Sequence, residues 1–289
     1  MNKREFLGMM ASAAVAAPVA ALTSQSQKPV PAADNSVSEI LRRGTIRAGY
    51  VVYPPMLNKD LNTGALSGIF YDLTESAAAR LGLKVEWPQE TSWATVADDF
   101  ANGRFDVLGS AAWLNPIHGR GIDFSAPLCY MPMYPIVRAD DKRFDDDLSA
   151  ANDPAVRISS VDGDIGIFIR DVDFPRAKLV TLPNTADYNQ LLLDIDANKA
   201  DMTFLDGDFA ARFIDANPGR LKIIKHAVRL YPTTYAVKKG AYGLAGLLNN
   251  AVADLVNSGY VEKVLSRHEA RPEGYWLLRE TFEPYNAAR

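Results

Sequence analysis

Short apolar runs alternate along the chain with longer segments in which apolar residues recur at the period of a helix. The short runs predict strands at 45–52, 84–87, 106–109, 157–161, 179–182, 201–205 and 221–224. The periodic segments predict helices at 72–81, 93–102, 184–195, 208–217, 244–257 and 260–267. Strands that alternate with helices favour an α/β fold in which mostly parallel sheets carry helices on their faces.

Two further extended runs, 130–137 and 233–237, separate the first series of strands and helices from the second. A chain that crosses twice between two such series forms two lobes with a cleft between them. We therefore predict a first lobe from residues 37–137 and 230–289 and a second lobe from residues 138–229. Ligands of open α/β sheets bind at the carboxyl ends of the strands, so the cleft is the expected site.

The first residues have the pattern of an export signal. Lys3 and Arg4 precede an alanine-rich apolar stretch at 6–22, which is short for a membrane span and ends in small residues. We predict a signal peptide at 1–24 and a polar tether at 25–36. The Lys3-Arg4 pair is similar to a twin-arginine motif with its first Arg replaced by Lys, so both export routes stay open. No Cys follows the stretch, which argues against a lipid anchor and favours a soluble periplasmic protein.

Composition and charge exclude several classes of function. The 289 residues carry a net charge of −4 and show no basic stripe, so we do not expect nucleic acid as a partner. Cys129 is the single cysteine, which excludes an internal disulfide and a cysteine-based metal site. His118, His226 and His268 are scattered without the spacing of a zinc site. We therefore expect neither a metal nor another cofactor.

Several short motifs carry more information through their order and spacing than any one of them carries alone. They are Gly44-Thr45-Ile46-Arg47-Ala48-Gly49-Tyr50, Tyr53-Pro54-Pro55, Gly64 to Asp72-Leu73, Asp123-Phe124-Ser125-Ala126-Pro127 and the pair Asp201 and Asp206. In this order they resemble the bacterial extracellular solute-binding proteins of family 3. The resemblance implies a two-lobed periplasmic-binding-protein fold of type II, with a mostly parallel sheet in each lobe and two crossover strands as hinge. It also implies a monomeric receptor, not an enzyme, that delivers a small polar solute to an ABC permease in the inner membrane.

The chain departs from this family at the positions that hold an amino acid. His118 stands where amino-acid-binding members carry the Arg that clamps the α-carboxylate, and Gly163-Asp164-Ile165 replaces the family's Gly-Thr-Thr. The Asp that pairs with the α-amino group is kept as Asp206. Carboxylates and aromatic faces favour cations, and His cannot grip a carboxylate in the bidentate manner of Arg. The expected ligand is therefore an amine-bearing solute, either an amino acid or a related compound.

Seven residues at the predicted strand ends are the candidate ligand contacts: Tyr53, Trp93, Ser110, Trp113, His118, Asp164 and Asp206. Several of them also have a purely structural interpretation. Asp164 could cap a helix that starts near Gly166, and Asp206 could cap the predicted helix at 208–217. Tyr53, Trp93 and Trp113 could be core anchors, and His118 could form hydrogen bonds only within its own loop.

Two other functions stay open from the sequence. Cyclohexadienyl dehydratases share the fold of this family and carry out an acid-assisted elimination in the cleft, where Asp164, Asp206 or His118 could serve as acid or base. No motif specific to that activity is present in the sequence. A sensory receptor would use the same closed lobes, so the sequence does not separate transport from sensing.

We predict that the exported protein has lost its leader and carries no lipid. A basic start, an apolar run and small residues at its end are the features of a cleaved secretory signal. Mass spectrometry of the periplasmic fraction should show a mature chain that begins near the end of the predicted signal peptide. An intact Met1, or an N-terminus with the added mass of a lipid, would contradict this prediction.

Overall fold

The computed structural model describes residues 35–268. The predicted signal peptide, nearly all of the predicted tether and residues 269–289 lie outside the described residues. Along residues 35–268, every helix is too short or too polar to traverse a bilayer.

The elements alternate as the sequence predicts, and the α/β class is confirmed. Eight helices lie within the described range: α1 (Asn35–Arg43), α2 (Ile69–Arg80), α3 (Val96–Ala101), α4 (Ile165–Asp173), α5 (Tyr188–Asp196), α6 (Gly207–Ala216), α7 (Tyr242–Asn257) and α8 (Tyr260–His268). Twelve strands lie in the same range: β1 (Thr45–Tyr50), β2 (Asn58–Lys59), β3 (Leu66–Ser67), β4 (Lys84–Glu90), β5 (Val107–Trp113), β6 (Ile122–Phe124), β7 (Cys129–Arg138), β8 (Arg157–Val161), β9 (Lys178–Leu182), β10 (Met202–Asp206), β11 (Leu221–Ile223) and β12 (Arg229–Lys238).

Ten of these strands form one curled sheet in the order β4-β1-β5-β12-β7-β10-β8-β9, with β6 paired to β12 and β11 paired to β7. On one side β1 runs parallel to β4 and β5, and on the other side β8 runs parallel to β9 and β10. The long strands β7 and β12 are antiparallel partners at the centre. β12 continues from β7 onto β5, and β7 continues from β12 onto β10. The pair β7 and β12 therefore links the two parallel groups, while the lobe boundaries themselves stay a prediction.

Burial follows the position of each strand in the sheet. Every residue of β5 and β10 is buried, as expected for strands covered on both faces. β4, at the end of the sheet, alternates exposed and half-buried residues. The strands β1, β5, β8 and β10 end at Tyr50, Trp113, Val161 and Asp206, so the predicted site residues lie at or just beyond these ends.

The helix predicted at 72–81, with Asp72 as its cap, begins earlier in the structure. α2 begins three residues earlier, so Asp72 lies in its first turn and Gly68 holds the cap position. Gly68 has a φ of 118°, and a Cβ atom there would lie 2.7 Å from the Pro55 carbonyl oxygen. Glu75, three residues after Asp72 and thus at the spacing of a capping box, accepts a hydrogen bond of 2.9 Å from the Trp87 indole instead. The close approach of Gly68 to Pro55 decides where α2 begins, and a local cap motif contains no information about that contact.

The predicted helix at 93–102 begins later than expected, and this frees Trp93 from helical geometry. α3 starts at Val96, because residues 92–95 form a turn. The Ser92 backbone N–H donates to the Thr95 hydroxyl at 3.3 Å, and the two hydroxyl oxygens lie 3.1 Å apart. Side chains of this type compete with helical hydrogen bonds. Trp93 consequently lies in a loop, where it can border a cleft.

Two other elements differ from their predicted bounds near the strand ends. The helix predicted at 184–195 would have Asn184 as its cap, but α5 begins at Tyr188 and Asp187 caps it. β5 continues to Trp113, four residues beyond its predicted end, so Ser110 and Trp113 both lie on this strand. Alanine and serine in that stretch weaken the strand signal, and pairing with β12 overrides it.

Asp201, just before β10, organises the end of the sheet that is opposite to the strand ends described above. Its carboxylate accepts hydrogen bonds of 2.9 Å from the Arg157 backbone N–H and from Arg157 Nε. Arg143 bridges Asp201 and the buried Asp141, with a distance of 2.8 Å to Asp201. Burial alone would raise the pKa of Asp201, but the hydrogen bonds from the two arginines outweigh it and hold that pKa well below its usual range.

We predict that Asp201→Asn lowers the free energy of unfolding at pH 7 by about 2–3 kcal/mol, because it leaves two arginines without their shared partner. The folded-state pKa of Asp201 is lowered, so its stabilisation is present above the unfolded-state pKa of about 4 and is lost as the pH falls below it. Urea unfolding should therefore show a smaller difference in stability between the wild type and Asp201→Asn at pH 3 than at pH 7. Asp254→Asn, which removes an exposed partner of Arg80, is the control and should cost less than about 0.5 kcal/mol. Equal losses in the two variants at pH 7 would contradict the prediction.

Candidate functional site

A cleft of about 690 Å³ opens at the carboxyl ends of the parallel strands. One wall comes from residues 51–54 after β1 and from residues 90–93 at the end of β4. The opposite wall comes from the end of β8, from residues 184–189 before and within α5, and from one side of α6. This volume lies within the range of small-molecule sites.

Four aromatic side chains cluster at the floor of the cleft; Tyr53, Tyr188 and Phe209 line it, and Trp113 packs behind Tyr53. The Tyr53 ring stacks on Phe209 with ring centres 5.3 Å apart. It also makes edge-to-face contacts with Tyr188 at 5.3 Å and with Trp113 at 5.9 Å. Because these rings come from both walls, Tyr53 joins the two sides of the cleft.

Asp206, the last residue of β10, is fully buried beside this aromatic cluster. Its carboxyl accepts a hydrogen bond of 2.5 Å from the Tyr53 hydroxyl and one of 2.9 Å from the Phe209 backbone N–H, so it also caps α6. Burial raises the pKa of Asp206 to about 6, and these two hydrogen bonds act in the opposite direction. Asp206 therefore lies beneath the surface of the open cleft and does not line it.

Asp164, just before α4, is buried but lines the cleft. Burial raises the pKa of Asp164 to about 6, against the effect of hydrogen bonds from the Ile165 backbone N–H and the Tyr188 hydroxyl. Burial and the charge of Asp164 in turn raise the pKa of Tyr188 well above its ordinary value. The Tyr188 hydroxyl therefore keeps its proton and donates a hydrogen bond to Asp164 at every physiological pH.

His118 supports Trp93 and does not line the cleft. The two rings are stacked with centres 5.1 Å apart, and Trp93 itself lines the cleft. His118 Nδ1 lies 2.9 Å from the side-chain nitrogen of Asn115. Burial lowers the pKa of His118, so at pH 7 the ring is neutral and its Nδ1 accepts the hydrogen bond from the Asn115 amide.

Ser110 and Trp113 lie behind the Tyr53 ring on β5. Ser110 Oγ accepts a hydrogen bond of 2.7 Å from the Val51 backbone N–H and donates one of 3.1 Å to the Val51 carbonyl. The buried Trp113 donates from its indole nitrogen to the Met131 sulfur at 3.1 Å. Both border a void of about 10 Å³ next to Tyr53, which has room for one water at most. These two residues therefore build the wall from behind.

The structure brings the seven predicted residues into one region but gives them different positions. Tyr53, Trp93 and Asp164 line the open cleft. The other four lie behind its surface: Ser110, Trp113, His118 and Asp206. Their role as ligand contacts stays a prediction.

Sequence reasoning missed Tyr188 and Phe209, which contribute half of the aromatic floor. Each lies in the first turn of a helix whose cap is an aspartate at the cleft, Asp187 for α5 and Asp206 for α6. An aromatic residue in the first turn of a helix that follows a strand end is the signal that would have found them.

The lining of the cleft is electronegative. Among the described lining residues, Arg212 is the one basic side chain, and it is ion-paired with the buried Asp208 at 2.8 Å. Four carboxylates line the same space: Glu90, Asp162, Asp164 and Asp187. Across residues 35–268, no three potential metal-ligating side chains come together as a metal site would require.

A model of the bacterial extracellular solute-binding proteins, family 3, matches residues 46–269. The chain belongs to this family. Membership and the described topology together establish the two-lobed fold of periplasmic binding proteins. No curated protein matches the sequence.

Solved structures with this family-3 fold include proteins of different roles. An ancestral amino-acid-binding protein, a precursor of cyclohexadienyl dehydratase, is 25% identical, with a TM-score of 0.69, covering 81% of this chain and 98% of its own. A putative ABC-transporter binding component from Wolinella succinogenes, complexed with lysine, is 21% identical with a TM-score of 0.69, covering 80% and 98%. The periplasmic VFT2 domain of Bordetella pertussis BvgS is 19% identical with a TM-score of 0.69, covering 81% and 97%. The fold is therefore shared, and the role must be argued from the cleft.

We predict that Tyr53→Phe destabilises the protein more at pH 8 than at pH 5. The folded-state pKa of Asp206 is raised, so this group favours folding below about pH 4 and that contribution is lost as the pH rises through about 6. Without the Tyr53 hydroxyl the carboxylate loses a donor, which should cost about 1–3 kcal/mol at pH 8 and less at pH 5. Denaturant unfolding at both pH values measures the difference.

Tyr260→Phe is the matched control for this prediction. It removes a hydroxyl from a ring that lies over the Arg80 guanidinium, in α8 and outside the cleft lining. Its effect should be the same at pH 5 and pH 8. A Tyr53→Phe effect that is equally independent of pH would show that the hydroxyl does not stabilise ionised Asp206.

Proposed function

We propose that the protein is a periplasmic receptor that binds a small amine-bearing solute between its lobes and delivers it to an ABC permease. The two lobes would be residues 37–137 with 230–289, and residues 138–229, with β7 and β12 as the hinge. Closure of the lobes around the solute would create the surface that the permease recognises. The receptor would act as a monomer after its leader has been removed.

The observation that carries this proposal is the chemistry of the cleft lining. Carboxylates outnumber basic groups there by four to one among the described lining residues; Arg212 is paired with Asp208, and Glu90 is paired with Lys59. Trp93 and Tyr188 add aromatic faces to the same lining. Aromatic faces and desolvated carboxylates together attract cations, whereas a dicarboxylate would be repelled.

The predicted site residues would have two kinds of role in this receptor. Tyr53, Trp93 and Asp164 would contact the solute, since they line the open space. The remaining four would hold those contacts in place: Ser110, Trp113, His118 and Asp206. His118 would fix the plane of Trp93, and Asp206 would fix the hydroxyl of Tyr53.

A specific observation also favours a second candidate, an enzyme of the dehydratase type. Asp164 and Asp206 are both buried with a pKa raised to about 6, and the rings of Tyr53 and Tyr188 connect them. A carboxyl group with such a pKa can donate a proton near neutral pH. The related ancestral binding protein that preceded a dehydratase makes this candidate worth a direct test.

Calorimetry on the purified mature protein tests the receptor, with amines, amino acids, dicarboxylates and neutral sugars as solutes. We expect an amine-bearing solute to bind and the dicarboxylates and sugars to fail. Trp93→Leu should weaken binding by about 0.5–2 kcal/mol, the contribution of one aromatic face to a bound cation. Trp87→Leu, outside the cleft lining, is the matched control and should leave the affinity unchanged. Tight binding of a dicarboxylate or a sugar would refute the proposed solute class.

Chemical analysis of the solute and uptake by cells separate the remaining functions. A receptor returns its solute unchanged after long incubation, and deletion of its gene abolishes uptake of that solute. An enzyme converts it in a reaction that Asp164→Asn or Asp206→Asn stops. Unchanged solute with normal uptake in the deletion strain would favour a sensory role instead.

A further inference from the structure

Three helices begin at the cleft, and an aspartate precedes each of them. Asp164 precedes α4, Asp187 precedes α5 and Asp206 precedes α6. The Asp187 and Asp206 carboxyls each accept a hydrogen bond of 2.9 Å from a backbone N–H in the first turn of the helix that follows. Asp164 stands at the cap position of α4 without a capping hydrogen bond, and its carboxyl interacts with the Ile165 N–H. Carboxylates of the protein itself therefore cap α5 and α6 and stand beside the first turn of α4, at helix ends that commonly bind anionic ligand groups.

The basic and titratable side chains near the cleft do not replace these lost anion sites. Arg212 Nε donates to the buried Asp208 at 2.8 Å, and Arg212 also donates to the His268 carbonyl at 3.2 Å. His118 lies behind Trp93, where its ring is stacked and does not line the cleft. Among the described lining residues, Arg212 is thus the one basic group, and its charge is already shared with buried Asp208.

We propose that the cleft selects organic cations that lack a carboxylate and that Asp164 anchors their positive charge. This inference rests on the proposed receptor function and narrows its solute class. Of the four carboxylates that line the cleft, Asp164 alone is buried, whereas Glu90, Asp162 and Asp187 are exposed. A charge pair formed at a desolvated carboxyl contributes more than one formed at an exposed carboxyl.

The surroundings of Asp164 suit an amine or guanidinium group. Tyr188 donates to one side of the carboxyl, and its ring stands edge-on to Phe209 at 6.3 Å. Trp93 faces the same cleft from the opposite wall. A cation between these rings gains aromatic contact and a buried counter-ion, while exposed Asp162 and Asp187 further along the cleft attract a second positive charge; Glu90 is already paired with Lys59 at 2.7 Å.

Two pairs of commercially available compounds test the proposal on the wild-type protein. Agmatine is arginine without its carboxylate, and cadaverine is lysine without its carboxylate. Calorimetry should show that agmatine or cadaverine binds at least about tenfold more tightly than its parent amino acid, because a carboxylate in this cleft meets like charges and no partner. Tighter or equal binding of the amino acids would overturn the proposal and leave the receptor function intact. Binding of none of the four compounds would overturn both.

A pair of isosteric variants in the same helix region tests the role of Asp164. Asp164→Asn should weaken binding of the preferred amine by about 30-fold or more, the effect of truncating one side of a buried charge pair. Asp171→Asn in α4 removes an exposed carboxylate paired with Arg170, and should change the affinity by less than about twofold. Circular dichroism checks that both variants are folded. An Asp164→Asn variant that is folded and keeps wild-type affinity would refute the anchor, and the wild-type comparison decides the solute class even if this variant does not fold.

Discussion

The hydrogen bond between the Tyr53 hydroxyl and the Asp206 carboxyl holds the cleft in the form described here. Tyr53 lies in the loop after β1 and Asp206 ends β10, so the bond connects the two groups of parallel strands away from the central strands β7 and β12. A fully buried carboxyl is tolerated only when donors satisfy it, and here a hydroxyl and a helix N–H do so. Once its hydroxyl is fixed, the Tyr53 ring fills the space between Trp113 and the second wall.

In this arrangement Asp206 and Asp164, two buried carboxyl groups in similar environments, have different roles. Asp206 is covered by Tyr53 and serves α6, whereas Asp164 keeps an open side toward the cleft. A solute that reached Asp206 would have to replace a hydrogen bond to a charged acceptor, which typically contributes about 1.5–3 kcal/mol. A solute that reaches Asp164 has no such bond to break between the walls. The space next to Asp164 is therefore the more accessible half of the cleft for a cation, and the Tyr53 contact can persist while it is occupied.

The sequence predicted the fold class well, because hydrophobic periodicity and the alternation of strands with helices can be recognised in a single sequence. It also predicted that Asp164 and Asp206 precede helices at strand ends, which is a local property. It failed where distant segments decide the outcome: Gly68 begins α2 because of its contact with Pro55, and β5 continues to Trp113 because β12 pairs with it. For the same reason, the sequence did not predict which side chains line the cleft and which lie behind its surface. Whether His118 faces a solute or the back of Trp93 depends on the path of a short loop that Asn115 fixes with its side chain.

The raised pKa of Asp164 connects the two candidate functions of this fold. A carboxyl with a pKa of about 6 is roughly nine-tenths ionised at pH 7, so the unoccupied cleft holds a poorly solvated negative charge. A cationic solute lowers that pKa and keeps the group ionised, which makes Asp164 an anchor. An anionic or neutral solute that displaces water raises the pKa further, and the same group then becomes a proton donor. Binding of a cation and acid catalysis therefore need the same buried carboxyl, and the charge of the solute that the cleft admits decides between them. Aspartates precede three helices around the cleft, and this is the reason why we propose a cation, and hence a receptor, for this protein.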